Sequence, residues 1–545
     1  MTRGYLLVFH FFIYPVRSNL VAISIFKFPK KMSEASLPAL IEQMLQPGFY
    51  PHPVKEPIKL IQTHISYVLL TGDYAYKVKK PVNFGFLDFS SLEQRQNFCQ
   101  EELRLNQRGA PQLYLEVLPI TLDGEQYHLQ GESDAVEYVL KMQQFPDNAL
   151  LSHMFDQGEL TEEHIKALGK VVAQYHAVTE TNDYILSFGK VSQVRASIDE
   201  NYEQTEKYIG GPQTQAQFDE TKSYTDNFFA KFPELFNSRI KNKYIRECHG
   251  DLHLNNICLW QDRILLFDCI EFNEPFRFVD VMYDIAFAIM DLEARGRKDY
   301  ANAFLNTYIE ETGDWEGLQL LPLYLSRQAY VRAKVTSFLL DDPGIPGDVK
   351  DNAAKTAAEY YKQAWEYTKP RQGQIFIMSG VSGSGKSTTA RLLSRELGAV
   401  IIRSDAVRKH LAQVPLLERG GDELYTPQMT EKTYNRLSEL GILLAKQGFT
   451  VILDAKYDRQ HLRGNVISQA EESKIPCKIL QCVAPEETLQ ERLNKRTGDI
   501  ADATPDLLSS QLDRAEEFTV QEKTYLTILD TTQPHAAQLE KVISQ

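Results

Sequence analysis

Gly380-Val381-Ser382-Gly383-Ser384-Gly385-Lys386-Ser387 meets the spacing G-x-x-x-x-G-K-[ST] at every specified position. An apolar run at 375–378 leads in, and a helix-forming run opening at Thr388 and continuing to 397 leads out. That order turns main-chain N–H groups and the positive end of a helix onto one point, which is how a chain cradles phosphate. Lys386 is then expected to reach the β- and γ-phosphates of ATP, and the Ser387 hydroxyl to ligate magnesium. Thr388 completes the set of expected nucleotide-binding residues.

Three further features bear on what such a site would do. Asp454 ends the apolar run 450–453, where a carboxylate holds a magnesium shell or simply turns the chain. Asp405 and Arg408 follow the second apolar strand of this stretch, 400–402, in Arg403-Ser404-Asp405-Ala406-Val407-Arg408, at the end of a strand where an open parallel sheet presents its ligands. Asp405 there can take a proton from an acceptor hydroxyl and Arg408 can clamp an acceptor anion, with helix N-capping by Ser404 or Asp405 as the competing explanation. Arg492 and Arg496 are four apart, hence on one helical side, either as a lid over transferring phosphate or as a solvated charged face. On these residues, 374–545 resembles the small P-loop kinases, the group of gluconate, shikimate and adenylate kinases and the ATP-binding domain of polynucleotide kinases. Asp405 with Arg408 is most similar to the acceptor side of polynucleotide kinases, a resemblance that implies an aspartate base and an arginine on the acceptor phosphate.

A second constellation is His249-Gly250-Asp251-Leu252-His253-Leu254-Asn255-Asn256, followed by an apolar run that ends near Asp268. Asp251 and Asn256 are five apart and Asp268 lies twelve further on, a spacing similar to the H-x-D-x-x-x-x-N loop and metal-binding aspartate of kinase folds. Asp251 is the candidate base, Asn256 and Asp268 the candidate metal ligands, and His249 an orienting residue. The alternative is a polar turn between helices. Because glycine follows the histidine, residues from about 37 to 367 resemble the aminoglycoside phosphotransferases more than protein kinases. That resemblance implies a strand lysine on the α- and β-phosphates, paired with a helix glutamate. Ala75-Tyr76-Lys77 points to Lys77, with Lys79 on the same strand face as the alternative. Glu102 shares a helical face with Phe98 and Leu105, Glu101 is its rival, and ordinary surface charge would explain either. The sequence departs from the family twice: only Thr71-Gly72-Asp73 stands where a glycine-rich loop is expected, and Cys269-Ile270-Glu271-Phe272 lacks the usual glycine. Arg277, Asp280 and Asp284 are expected as a supporting ion-pair cluster. No acidic pocket for aminoglycosides is legible, so antibiotic resistance is not inferred.

The elements that must position these residues follow from length and pattern. At 545 residues, with 43% hydrophobic and 24% charged, the chain is globular and long enough for three or four structural units. Residues 1–35 form an N-terminal extension with apolar runs at 4–16 and 21–28, each too short to span a bilayer, and translation is expected to start at Met32. Short strands at 66–70 and 74–78 place a small α+β lobe over 36–146. Helical patterns at 162–176 and 283–294, with a hairpin near 264–268, place a helical lobe over 147–368. Lys369-Pro370-Arg371-Gln372-Gly373 breaks that pattern as a linker at 369–373. Apolar strands at 375–378, 400–402, 451–453 and 478–482 alternate with helices over 374–545, the mark of a parallel sheet with crossover helices. The fold class is therefore multidomain, α+β then α/β: a kinase-like two-lobed fold followed by a P-loop NTPase parallel-sheet domain.

With 59 Lys and Arg against 73 Asp and Glu, the net charge is −14, which provides no general footprint for nucleic acid. Six scattered cysteines without C-x-x-C spacing suit reduced thiols in the cytoplasm. The expected activity is an ATP-dependent kinase, with ATP and Mg2+ at both sites, moving the γ-phosphate to small hydroxylated acceptors. Two rivals remain: a regulatory ATP-binding protein or ATPase without an acceptor, and a 5′-hydroxyl polynucleotide kinase. The second is disfavoured by the acidity and by the want of a basic stripe interleaved with aromatics.

Overall fold

The computed structural model describes residues 37–495, 500–501 and 508–544. The extension at 1–35, its expected start at Met32, and Arg496 lie outside the described residues.

Strands β1 (Lys59–Gln62), β2 (Ser66–Leu70), β3 (Tyr74–Lys79), β4 (Tyr114–Asp123), β5 (Gln126–Leu129) and β6 (Ala135–Gln143) form an antiparallel sheet ordered β1-β2-β3-β6-β4-β5. In β3 the two-residue period sends Tyr76 and Val78 into a core with Leu69, Ile120 and Val139, and leaves Lys77 and Lys79 together on the opposite face. The Leu92–Asn106 helix packs against β4 and β6. Its start is fixed by a capping box, in which Ser91 Oγ accepts the Gln94 N–H and the Gln94 side chain returns to Ser91.

Most of the following stretch is helical. Within it β7 (Ile245–Glu247) pairs with β10 (Phe278–Asp280), and β8 (Ile257–Trp260) with β9 (Arg263–Leu266), both antiparallel. The Val281–Ala294 helix is buried along nearly its whole length, so its few polar side chains must find partners inside.

The second sheet is parallel throughout. Strands β11 (Gln374–Ser379), β12 (Val400–Arg403), β13 (Thr450–Asp454), β14 (Cys477–Val483) and β15 (Leu526–Asp530) are ordered β12-β13-β11-β14-β15. Helices cover the sheet, so its strands read as continuous apolar runs, and Phe376, Met378, Ile452 and Leu480 centre the core.

The chain divides into two compact units. One takes residues up to Ala167 with Gln174–Gly296 and Leu321–Thr368; the other takes Leu168–Ala173, Arg297–Leu320 and everything from Lys369. Residues 297–320, which the sequence pattern runs into the helical lobe, thus count with the parallel sheet. The reason lies at edge strand β12: Asn306 Oδ1 accepts the Ile401 N–H at 2.7 Å, and the Asn302 and Asn306 amides donate to Ala399 O at 2.9 and 3.0 Å. Two side-chain amides here do what a neighbouring strand would do. All six cysteines are free thiols, and five of them are buried. Among the described residues no helix is long and apolar enough to cross a membrane.

Candidate functional site

The 249–256 constellation lies between β7 and β8. Gly250 has φ +83°, and a Cβ there would stand 2.8 Å from the Phe276 carbonyl oxygen, so only glycine fits after the histidine. Asp284, from the buried Val281–Ala294 helix, accepts the main-chain N–H of His249 at 3.1 Å and of Gly250 at 2.8 Å, and also bonds His176 Nε2 at 3.0 Å. Burial pushes its carboxyl up, but these bonds and the neighbouring imidazoles hold it below the usual range. His249 accepts the Asp251 N–H on Nδ1 at 3.3 Å, so its Nε2–H donates to the Phe267 carbonyl at 2.9 Å. Burial lowers the pKa of that imidazole, which keeps it neutral.

Asp251 is 7% exposed. Asn256 Nδ2 donates to its Oδ2 at 3.0 Å and to its carbonyl at 3.0 Å, and His253 Nε2 lies 3.3 Å from Oδ2. Oδ1 is buried with no hydrogen-bond partner among the described residues. Burial raises the carboxyl, but His253, His249 and Arg332 together outweigh it, so Asp251 sits below the ordinary range and is ionised at neutral pH.

Lys77 and Lys79 both reach Glu102. Lys77 Nζ donates to Glu102 Oε1 at 2.7 Å and to Asp268 Oδ1 at 3.0 Å, while Lys79 Nζ donates to Glu102 Oε2 at 2.6 Å and also pairs with Glu271. Lys79 is the deeper of the two, with a side chain 1% exposed against 13% for Lys77. Glu101 turns instead to Arg104 at 2.6 Å and Arg277 at 3.1 Å. Burial alone would raise the Glu102 carboxyl, but two ammonium groups outweigh it and hold Glu102 below the usual range, whereas burial wins at Glu271 and pushes it up. Asp268 sits just past β9 in the left-handed region, φ +62°, with its N–H donated to Tyr114 Oη at 3.1 Å.

Glu271, Tyr114 and the role of Asp284 escaped the sequence reading, because their partners are distant in the chain. The expected cluster of Arg277, Asp280 and Asp284 does not form. Asp280 is the N-cap of the Val281–Ala294 helix and pairs with Arg239 at 2.7 Å; Arg277 pairs with Glu247 at 3.3 Å and with Glu101.

In the second unit the glycine-rich segment follows β11, the central strand, so it opens at the carboxyl ends of the sheet. Gly383 has φ +81°, and a Cβ would stand 2.8 Å from the Leu489 carbonyl oxygen. Lys386 Nζ donates to Val381 O at 2.8 Å. Burial pushes this ammonium down, with Asp454 and Asp405 opposing. Gly380, Ser382, Gly385 and Ser387 are half-buried and Thr388 is exposed. Ser384 Oγ is buried with no partner among the described residues. Arg492 is tied to the loop itself: it bonds Thr531 Oγ1 at 2.8 Å, Thr531 O at 2.9 Å and Gly383 O at 3.3 Å.

Asp454 ends β13 in register with Arg403 of β12, and Arg403 Nε lies 3.8 Å from its Oδ2. The helix after β12 is Ser404–Ala412; its N-cap is Arg403 and makes no side-chain capping bond, so neither Ser404 nor Asp405 is its cap. Asp405 Oδ1 lies 3.7 Å from Arg408 Nη1, whose guanidinium rests 4.9 Å from the Tyr425 ring centre.

Asn256 with Asp268, and Ser387 with Asp454, are all-oxygen donor sets of the kind magnesium takes. The partnerless Oδ1 of Asp251, beside Asn256, marks the first of these as a place where a further polar group is wanted.

Residues 86–321 match the model of the phosphotransferase enzyme family, and residues 375–518 match that of an AAA domain. The uncharacterized protein Rv2004c of Mycobacterium tuberculosis is 30% identical over 474 residues, which cover 86% of this chain and 92% of that protein. A counterpart from Mycobacterium bovis matches to the same extent, 30% over 474 residues. Among solved structures the chain is similar to an unliganded sugar kinase from Janibacter sp., with 23% identity, TM-score 0.25, and coverage of 32% of this chain and 94% of that one. A gluconokinase from Sinorhizobium meliloti gives 21% identity, TM-score 0.24, and coverage of 32% and 96%.

Proposed function

Because the chain belongs to the same family as these mycobacterial proteins and joins a phosphotransferase domain to a P-loop kinase domain, we propose that it is an ATP-dependent kinase with two working sites. Each moves the γ-phosphate of ATP to a small hydroxylated acceptor. The observation that carries the reading is the convergence of Lys77, Glu102 and Asp268, from three separate stretches of chain, in the unit that also holds the Asp251–Asn256 loop.

In the first site Asn256 and His253 hold Oδ2 of Asp251, which leaves Oδ1 to take the proton of the acceptor hydroxyl as its oxygen attacks phosphorus. Lys77, fixed by Glu102, steadies the α- and β-phosphates. In the second, main-chain N–H groups of the 380–387 loop and the Lys386 ammonium bind phosphate, Asp405 serves as base, and Arg408 receives an anionic part of the acceptor. Asn256 and Asp268 in one site, and Ser387 and Asp454 in the other, would hold Mg2+. When bound, that ion neutralises charge on the transferring phosphoryl group. The net charge of −14 favours small acceptors over nucleic acid, and the buried free thiols favour the cytoplasm. The boundaries that go with this reading are 36–146 and 147–368 for the two lobes of the first kinase, with 297–320 lending its helix to the sheet of the second, 374–545.

The test is a screen of radiolabelled ATP against sugars, sugar acids, nucleosides, aminoglycosides and oligonucleotide 5′ ends, with wild type, Asp251→Asn and Lys386→Ala side by side. The expected result is label in acceptors that disappear selectively with one or the other variant. ATP hydrolysis at a rate indifferent to every added compound, with no labelled acceptor, would overturn the proposal in favour of a regulatory ATPase.

A further inference from the structure

The Lys298–Thr312 helix belongs to the parallel-sheet unit although it lies within the stretch that matches the phosphotransferase family. Its placement is fixed at several points. Asn302 and Asn306 bond the edge of β12. At the helix's far end His410 Nε2 is hydrogen-bonded to the Glu310 carbonyl at 2.7 Å, and the Trp315 ring meets the His410 ring edge-on at 5.6 Å. Glu316 pairs with Arg436.

This anchoring brings the Glu310 carboxylate, Oε1, to 3.6 Å from Nη1 of Arg403, while Nε of the same guanidinium stands 3.8 Å from Asp454 Oδ2. Arg403 and Asp454 are register partners at the carboxyl ends of adjacent strands. The Arg403 side chain is 12% exposed and that of Asp454 3%, against 27% for Glu310, so solvent screens the Arg403–Asp454 pair poorly and the Glu310–Arg403 pair more. One cation is thus shared between two carboxylates, one of which is the proposed magnesium-side residue of the second site.

We propose that Glu310 and Arg403 are positioning residues that set how strongly Asp454 binds a divalent cation. This rests on the P-loop kinase reading above. Arg403 competes with the cation for Asp454, and Glu310 draws Arg403 away. A carboxylate that keeps a guanidinium to itself is a poorer metal ligand, since the neighbouring positive charge both occupies its oxygens and repels the incoming ion.

The test is direct binding of Mn2+ to the full chain saturated with a non-hydrolysable ATP analogue, read as free Mn2+ by electron paramagnetic resonance. Lys386→Ala identifies which class of Mn2+ sites belongs to the P-loop. For that class Glu310→Gln is expected to weaken binding about three- to tenfold, because Arg403 then turns further toward Asp454. Arg403→Gln is expected to tighten binding, and in that background Glu310→Gln is expected to change nothing further. A purely structural role would make both single variants weaker, and that result would overturn the inference. So would a Lys386-dependent class indifferent to Glu310. If Lys386→Ala removes no class of sites at all, the P-loop reading itself fails.

Discussion

Asp251 keeps one buried carboxylate oxygen without a partner while the other is held by Asn256 and His253. Replacing it by asparagine removes the base and little else. Asp251→Asn is therefore expected to slow transfer at the first site by about 10²- to 10⁴-fold with nucleotide binding retained, as single-turnover rates and nucleotide titration would show. Asp284 acts one step further back, through the main chain of the loop. Its folded carboxyl, like that of Asp251, lies below the ordinary value of about 4, so the stability it confers is present above about pH 4 and is lost as pH falls through the lower folded value. Glu271, pushed up by burial, has the opposite sign and favours the fold as pH falls. Asp284→Asn is expected to lower stability at pH 7 by about 3 kcal/mol, with the gap from wild type narrowing below about pH 4 in thermal melts. Both motifs stand out in the sequence because the chemistry proposed for them needs fixed residue types at short spacing. The Lys79–Glu271 pair was not, since its members are separated by 192 positions and nothing local marks them.

At the scale of elements, the 249–256 loop depends on two supports: a glycine in a conformation other residues resist, and a buried helix that offers a carboxylate to the loop's N–H groups. Gly250→Ala strains the first and pushes a methyl against Phe276 O. Its expected effect is a loss of first-site turnover of at least about tenfold, with nucleotide binding at the 380–388 segment unchanged, checked by comparing acceptor labelling with analogue binding. Elements with a clean period were legible. Apolar runs marked the strands of the parallel sheet, and the face shared by Phe98 and Leu105 is the face on which Glu102 lies buried. The partners of Arg277, Asp280 and Asp284 are not marked locally: Asp280 caps the helix and pairs with Arg239, while Asp284 accepts from the loop main chain.

For the whole molecule, two nucleotide sites on different scaffolds should respond separately to ligand. A non-hydrolysable ATP analogue with Mg2+ is expected to raise the melting temperature of wild type, and Lys386→Ala to remove part of that rise while Asp251→Asn leaves it intact. Scanning calorimetry with and without the analogue would check this. The proline and glycine at 370 and 373 made one chain break easy to see. The allegiance of 297–320 was hidden, because it is decided by Asn306 meeting the main chain at Ile401, 95 positions later. That pair of asparagines has a practical corollary. A fragment begun at the visible break would leave the rim of its sheet bare, with outward N–H and C=O groups ready to zip onto a sister copy. A C-terminal half moved by itself would therefore carry a sticky border.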